Sequence, residues 1–141
     1  MKQLISLHTN KDAVILDFFA GSGSTGHAVL DLNHDDDGNR KFILCTNNEN
    51  NICKEITYQR LKNVINGYEI KKFGSMVNKN ALGGTLRYFK TEFVDIVGTR
   101  DQLYYDLTEK CIPMLCVKGD TFNKIESNNE YAIFTNNDKT K

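Results

Sequence analysis

A chain of 141 residues, 40% hydrophobic and 26% charged with ten glycines and no tryptophan, fits one compact domain that buries about two thirds of its unfolded surface. Eighteen basic side chains balance eighteen acidic ones, so no global field announces a polyanion or a membrane. The single proline, Pro113, excludes any catalytic motif built on a Pro-Pro pair, and no apolar stretch approaches the ~18 residues of a membrane span.

The opening segment has one Lys and a short apolar piece, Leu4, Ile5 and Leu7, broken by Ser6 and His8. It lacks the continuous apolar run of a signal peptide. Cys45, Cys53, Cys111 and Cys116 have no C-x-x-C spacing; reduced thiols and a cytoplasmic location are expected. Residues 13–18, Ala-Val-Ile-Leu-Asp-Phe, are a short apolar run ending near a carboxylate, which predicts a strand buried on both faces of a parallel sheet. A glycine turn, Gly21-Ser22-Gly23-Ser24-Thr25-Gly26, leads into a short helix from His27 to Leu32, then a loop from Asn33 to Asn39. A second buried strand is expected over Lys41–Thr46, so the segment reads as a βαβ unit. Within the loop, Asp35-Asp36-Asp37-Gly38 fails as a calcium loop because Leu44 falls where a bidentate Glu is required. The acidic run is expected to be solvated.

A longer helix follows from Asn51 to Asn66, with Cys53, Ile56, Leu61, Val64 and Ile65 at three- and four-residue steps and Gly67 as the stop. Residues 68–84 are polar, basic and glycine-punctuated and read as a loop. Thr85–Lys90 alternates well enough for a third strand. Thr99-x-x-Gln102 is a capping box opening a helix through Leu103, Leu107 and Cys111, which Pro113 should kink or end. Tyr131–Phe134 reads as a final strand before a polar, fraying tail.

The glycine turn admits several readings. A phosphate-binding loop needs Lys and then Ser or Thr after the last glycine, and His27-Ala28 stand there instead. A nicotinamide-binding loop passes almost directly from strand to glycine and wants an acid about 20 residues later; Asp17-Phe18-Phe19-Ala20 intervene here, and the second strand ends in Thr46 and Asn47. A third reading uses the whole stretch. Asp17 suits a ligand ammonium, the helix N-terminus suits its carboxylate, and Gly21 and Gly23 let the backbone approach without a Cβ. S-adenosylmethionine carries those groups. A purely structural strand-to-helix turn remains the plain alternative, as does a non-catalytic remnant or interaction module.

Residues 17–29, Asp-Phe-Phe-Ala-Gly-Ser-Gly-Ser-Thr-Gly-His-Ala-Val, resemble motif I of amino-group DNA methyltransferases. The Phe19, Gly21, Gly23 core is similar to the β-class, which includes modification subunits of type III restriction systems. Residues 39–44, 83–94 and 107–116 continue the likeness. The resemblance implies an α/β, Rossmann-like S-adenosylmethionine-dependent methyltransferase fold, here its C-terminal portion, and adenine N6 in double-stranded DNA as substrate. It places the cofactor on Asp17, Phe18, Phe19, Gly21, Ser22, Gly23, Ser24 and Thr25. Ser24 stands where the family has Thr and keeps the hydroxyl. For the ribose acid the chain offers Glu49 or, in its stead, Asn47. In this class the catalytic Asp-Pro-Pro-Tyr motif and the target-recognition region precede motif I. Neither is in this sequence, and residues 2–7 resemble the tail of the helix before motif I. The chain is thus expected to carry no catalytic and no metal-binding residue, and to be inactive alone. Residues 1–98 would form the cofactor-binding part and 99–141 a C-terminal extension. Expected partners are an N-terminal methyltransferase portion, DNA in the complete enzyme and a restriction subunit, with no membrane. Lys62, Lys71, Lys72, Lys79, Arg87 and Lys90 against Glu69 form a local basic excess that fits either DNA phosphates or a solvated surface.

Overall fold

The computed structural model describes residues 1–96, 98–128 and 130–136. The chain is mixed α/β and divides into two compact units, Met1–Phe89 and Lys90–Lys141.

In the first unit, α1 (Lys2–His8) leads to β1 (Val14–Asp17), α2 (Ser24–Asp36) and β2 (Lys41–Leu44). The two strands pair in parallel, with Val14 opposite Lys41 and Asp17 opposite Leu44, as the βαβ reading required. Alternation then decides the packing. Ile15 and Phe42 point to the side where Ile5, Ala28, Val29 and Leu32 form a core, with Val29 fully buried. Phe42 and Leu44 also meet a second cluster of Leu30, Leu61 and Val64. Val14, Leu16 and Ile43 face the other way and are 59%, 50% and 52% exposed. The expectation of strands buried on both faces is therefore corrected: one face of this two-stranded sheet is covered.

Helix α2 is longer than the sequence indicated. Residues 33–36, expected as loop, are helical because side-chain partners outweigh the weak propensity of Asn and Asp. The Asn33 amide side chain brackets the Arg40 backbone, accepting from its N–H at 3.0 Å and donating to its carbonyl at 2.8 Å. Lys2 pairs with Asp35. The buried Arg40 guanidinium makes a two-pronged contact with Asp36, at 3.0 and 2.9 Å. The acidic run is thus a helix end with two of its charges paired rather than a solvated loop.

Past β2 the chain enters a 3-10 turn (Glu49–Asn51), then a widened π turn (Cys53–Thr57), and only then α3 (Tyr58–Asn66). The helix expected from Asn51 to Asn66 is thus present as one continuous helical run from residue 52, with its first part widened into a π turn. Leu61 and Val64 are buried as the spacing required, whereas Ile56 is 49% exposed, since the π turn rotates it off the apolar stripe. Gly67 ends α3 at φ +81°.

The expected loop at 68–84 contains a hairpin, β3 (Tyr68–Lys72) and β4 (Ser75–Lys79). Its two-residue turn puts Phe73 and Gly74 at φ 49° and 83°, the double left-handed geometry that matches strand twist. Phe in the first turn position hid this signal. Conversely, residues 85–90, expected as a strand, form none; Leu86 within them and Leu82 just before them pack against the Leu61 cluster. Just ahead of that segment, Leu82 and Gly83 donate their N–H groups to the carbonyls of Val64 and Ile65 at the end of α3.

In the second unit, α4 (Arg100–Gly119) starts on the expected cap, Thr99 Oγ1 accepting from the Gln102 N–H at 3.3 Å. Pro113 lies inside it, so of the two expected outcomes, a kink or an end, the helix does not end there. An antiparallel pair follows, β5 (Asn123–Ser127), unanticipated, and β6 (Ala132–Thr135). The polar tail beyond Asn136 lies outside the described residues.

Candidate cofactor site at the glycine turn

Where β1 ends, Asp17 is half-buried and its carboxylate bridges the turn. Oδ1 accepts from the Phe19 N–H at 3.0 Å and Oδ2 from the Thr25 hydroxyl at 2.6 Å. Two of about four acceptor positions are so used, which leaves a carboxylate able to meet a further donor. The turn is stitched to β2 by the bonds Cys45 N–H to Asp17 O (2.8 Å) and Ala20 N–H to Cys45 O (3.0 Å). Phe18 and Phe19 project outward, 64% and 93% exposed.

Gly21 and Gly23 adopt φ 49° and 77°, a region costly for residues with a Cβ. Gly23 is also the N-cap of α2, and having no side chain it leaves the first helical N–H groups, those of Ser24, Thr25 and Gly26, without a side-chain cap. An uncapped helix N-terminus beside a strand-end carboxylate offers donors to an anionic group and an acceptor to a cationic one, within one turn of chain. A zwitterionic amino-acid end fits that pair.

Two residues not anticipated from sequence hold the turn from behind. Buried Thr57, at the end of the π turn, donates its hydroxyl to the Gly21 carbonyl at 2.5 Å. Arg60, one turn further along, donates to Ser22 Oγ at 3.1 Å. Neither carried a local signal, because both act through contacts more than thirty positions away in sequence.

After β2, Asn47 and Glu49 are brought together and both are exposed: the Glu49 N–H donates to Asn47 Oδ1 at 3.2 Å, and the Asn47 amide approaches the Glu49 carboxylate at 3.4 Å. Asn48 sits left-handed between them and its Oδ1 accepts from the Cys53 and Lys54 N–H groups, starting the π turn. All the sequence-predicted site residues thus lie at or just beyond the carboxyl ends of β1 and β2, where parallel α/β sheets place ligands. Among the described residues no group of three His, Cys, Asp or Glu side chains could hold a metal ion. No helix among them is long and apolar enough to cross a membrane.

Residues 1–73, from α1 through the glycine turn and α3 into β3, match the DNA methylase family N6_N4_Mtase. The chain belongs to that family. It is 47% identical over 68 residues to the Type III restriction-modification enzyme StyLTI Mod subunit of Salmonella typhimurium, covering 45% of this chain and 10% of that protein. It is 50% identical over 46 residues to the EcoPI Mod subunit of Escherichia phage P1 (33% and 7%), also a type III restriction-modification enzyme. Its identity to the Type II methyltransferase M.KpnI of Klebsiella pneumoniae is 53% over 45 residues (32% and 11%). The matched stretch spans about a tenth of each relative's length. The resemblance seen in motif I is therefore that of an N6/N4 DNA methylase, with methylation and restriction-modification enzymes as its relatives.

Proposed function

We propose that this chain is the S-adenosylmethionine-binding portion of a Rossmann-like DNA adenine-N6 methyltransferase of a restriction-modification system. The cofactor part lies within residues 1–98, with 99–141 as an extension. The observation that carries the reading is the pairing of the Asp17 carboxylate with the uncapped N-terminus of α2 across two left-handed glycines. Asp17 receives the ammonium of the methionine end, and the Ser24, Thr25 and Gly26 N–H groups receive its carboxylate. Gly21, Ser22 and Gly23 form the floor, while Phe18 and Phe19 supply apolar cover. Asn47 and Glu49, held by their mutual contacts, face the ribose hydroxyls.

The bound cofactor would supply the methyl group. The chain's own contribution is positioning, because a fixed donor turns a bimolecular transfer into an oriented one. Residues that polarise the adenine amine are not part of this assignment; with one proline in the sequence, no Asp-Pro-Pro-Tyr motif is present. A separate methyltransferase portion would bring that motif and hold a flipped adenine. Duplex DNA and a restriction subunit would be partners of the complete enzyme.

Calorimetric titration with S-adenosylmethionine tests the reading, with Asp17→Asn as the informative variant. Asn retains an acceptor for the Phe19 N–H and a partner for Thr25, so the turn persists while the charge is lost. Binding by the wild type that Asp17→Asn weakens at least tenfold is expected. Equal binding by both, or none by a folded wild type, would overturn it.

A further inference from the structure

A second polar concavity lies on the first unit, between α2 and α3. It encloses about 330 Å³ and is lined by His27, Arg60, Asn63, Val64 and Tyr68. Buried Val64 forms an apolar floor, and half-buried His27, Arg60 and Tyr68 with exposed Asn63 form the walls. The lining includes none of Asp17, Gly21, Gly23 or Glu49, so the concavity is distinct from the proposed cofactor site.

Its chemistry is that of an anion receptor. Arg60 spends one donor on Ser22 Oγ, which steadies the guanidinium. Among the described residues no carboxylate pairs with it, so four of its five N–H donors are open. The imidazole, the Asn63 amide and the Tyr68 phenol add donors to the same lining, and no side-chain hydrogen bond joins any of them to another described residue. A planar guanidinium with several further donors suits an oxyanion, and a phosphate has more acceptor oxygens to meet those donors than a carboxylate has. The surface beyond is also basic. Lys79 lies directly across the hairpin from Tyr68, on the same face by register, and Lys72 shares that face four pairs further along.

The geometry points to a phosphodiester-binding site at His27, Arg60, Asn63 and Tyr68 that seats one backbone phosphate of duplex DNA. The inference rests on the methyltransferase reading only for DNA as the source of the phosphodiester. The site reads no base; it sets the chain's register on the duplex, as phosphate contacts do.

The test uses the full chain and two variants, Arg60→Gln and Asn63→Asp. Asn63→Asp places a carboxylate in the concavity without touching Ser22. Anisotropy of a labelled DNA duplex is measured across a salt series, and the His27 imidazole NMR signals are followed against inorganic phosphate. We expect sequence-independent duplex binding that both variants weaken several-fold, with a salt slope smaller by about 0.9 for the lost phosphate. A saturable phosphate shift of His27 should vanish in Asn63→Asp. Unchanged affinity and slope in both variants, or no His27 response in folded wild type, would sink the site. S-adenosylmethionine calorimetry on Asn63→Asp keeps the two proposals apart. Cofactor binding should be unchanged there, and its absence from the wild type as well would count against the cofactor reading alone.

Discussion

The Thr57 hydroxyl donates to the Gly21 carbonyl at 2.5 Å, joining the end of the π turn to the floor of the glycine turn across thirty-six positions of sequence. The same side chain packs its methyl group toward Gly23, where an added Cβ would come within 2.8 Å of Thr57 Cγ2. One buried side chain thus pins one glycine and excludes any larger residue at the other. This relationship makes the widened turn a part of the site, because a regular helix would not put position 57 at the same angle.

Thr57→Val removes the hydroxyl and keeps the shape. The loss of one hydrogen bond should cost about 1 kcal/mol of stability, read as a modest fall in thermal midpoint. S-adenosylmethionine affinity should fall further than that, since the Gly21 carbonyl is then free to rotate. Thr57→Ser keeps the donor and should preserve affinity, which calorimetry on the two variants decides.

Gly23→Ala and Gly21→Ala should differ. Both enter the left-handed region, at a cost of roughly 1–2 kcal/mol each. Gly21 has open space, its nearest atom being the Phe19 carbonyl oxygen at 3.8 Å, whereas at Gly23 the new methyl collides with Thr57. Denaturant unfolding should rank Gly23→Ala as the more damaging. Adding Thr57→Ser, which deletes the colliding methyl, should recover part of the loss, a coupling that a double-mutant cycle measures.

The Arg40 guanidinium, by its hydrogen bonds, holds the Asp36 carboxyl below its ordinary value. A carboxyl lowered on folding contributes stability that is complete above the usual carboxylate range and is lost as pH falls through the lowered value. Asp36→Asn should therefore be less stable than the wild type at neutral pH. The gap should close on acidification, reaching zero below both values. Thermal melts across an acid series follow this directly.

Leu61→Ala and Leu16→Ala separate core from open face. Leu61 is 2% exposed between α2 and α3, and its truncation should cost about 2–5 kcal/mol. Leu16 is 50% exposed on the uncovered side of β1, and its truncation should stay within about 0.5 kcal/mol. Chemical denaturation of the isolated chain gives both numbers.

Sequence by itself determined the βαβ unit and pointed to the glycine turn as the candidate site. The apolar runs around residues 14–17 and 41–44, the two glycines and the Asp17 carboxylate are local signals, each readable from backbone sterics, strand periodicity or helix-terminus chemistry. The Thr99 cap was legible for the same reason. Tertiary structure decided the rest, through side-chain partners that no local periodicity announces. Residues 33–36 are helical because Arg40 and Lys2 take up Asn33, Asp36 and Asp35. Residues 85–90 are not a strand because Leu86 packs on the Leu61 cluster and no neighbouring strand meets them. Alternation could show that β1 and β2 have two apolar faces, but only the fold selects Ile15 and Phe42 for burial and leaves Val14, Leu16 and Ile43 outside. Thr57 and Arg60 are ordinary helix residues by composition. They become supports of the turn because a π turn, which no periodicity announces, aims them at Gly21 and Ser22.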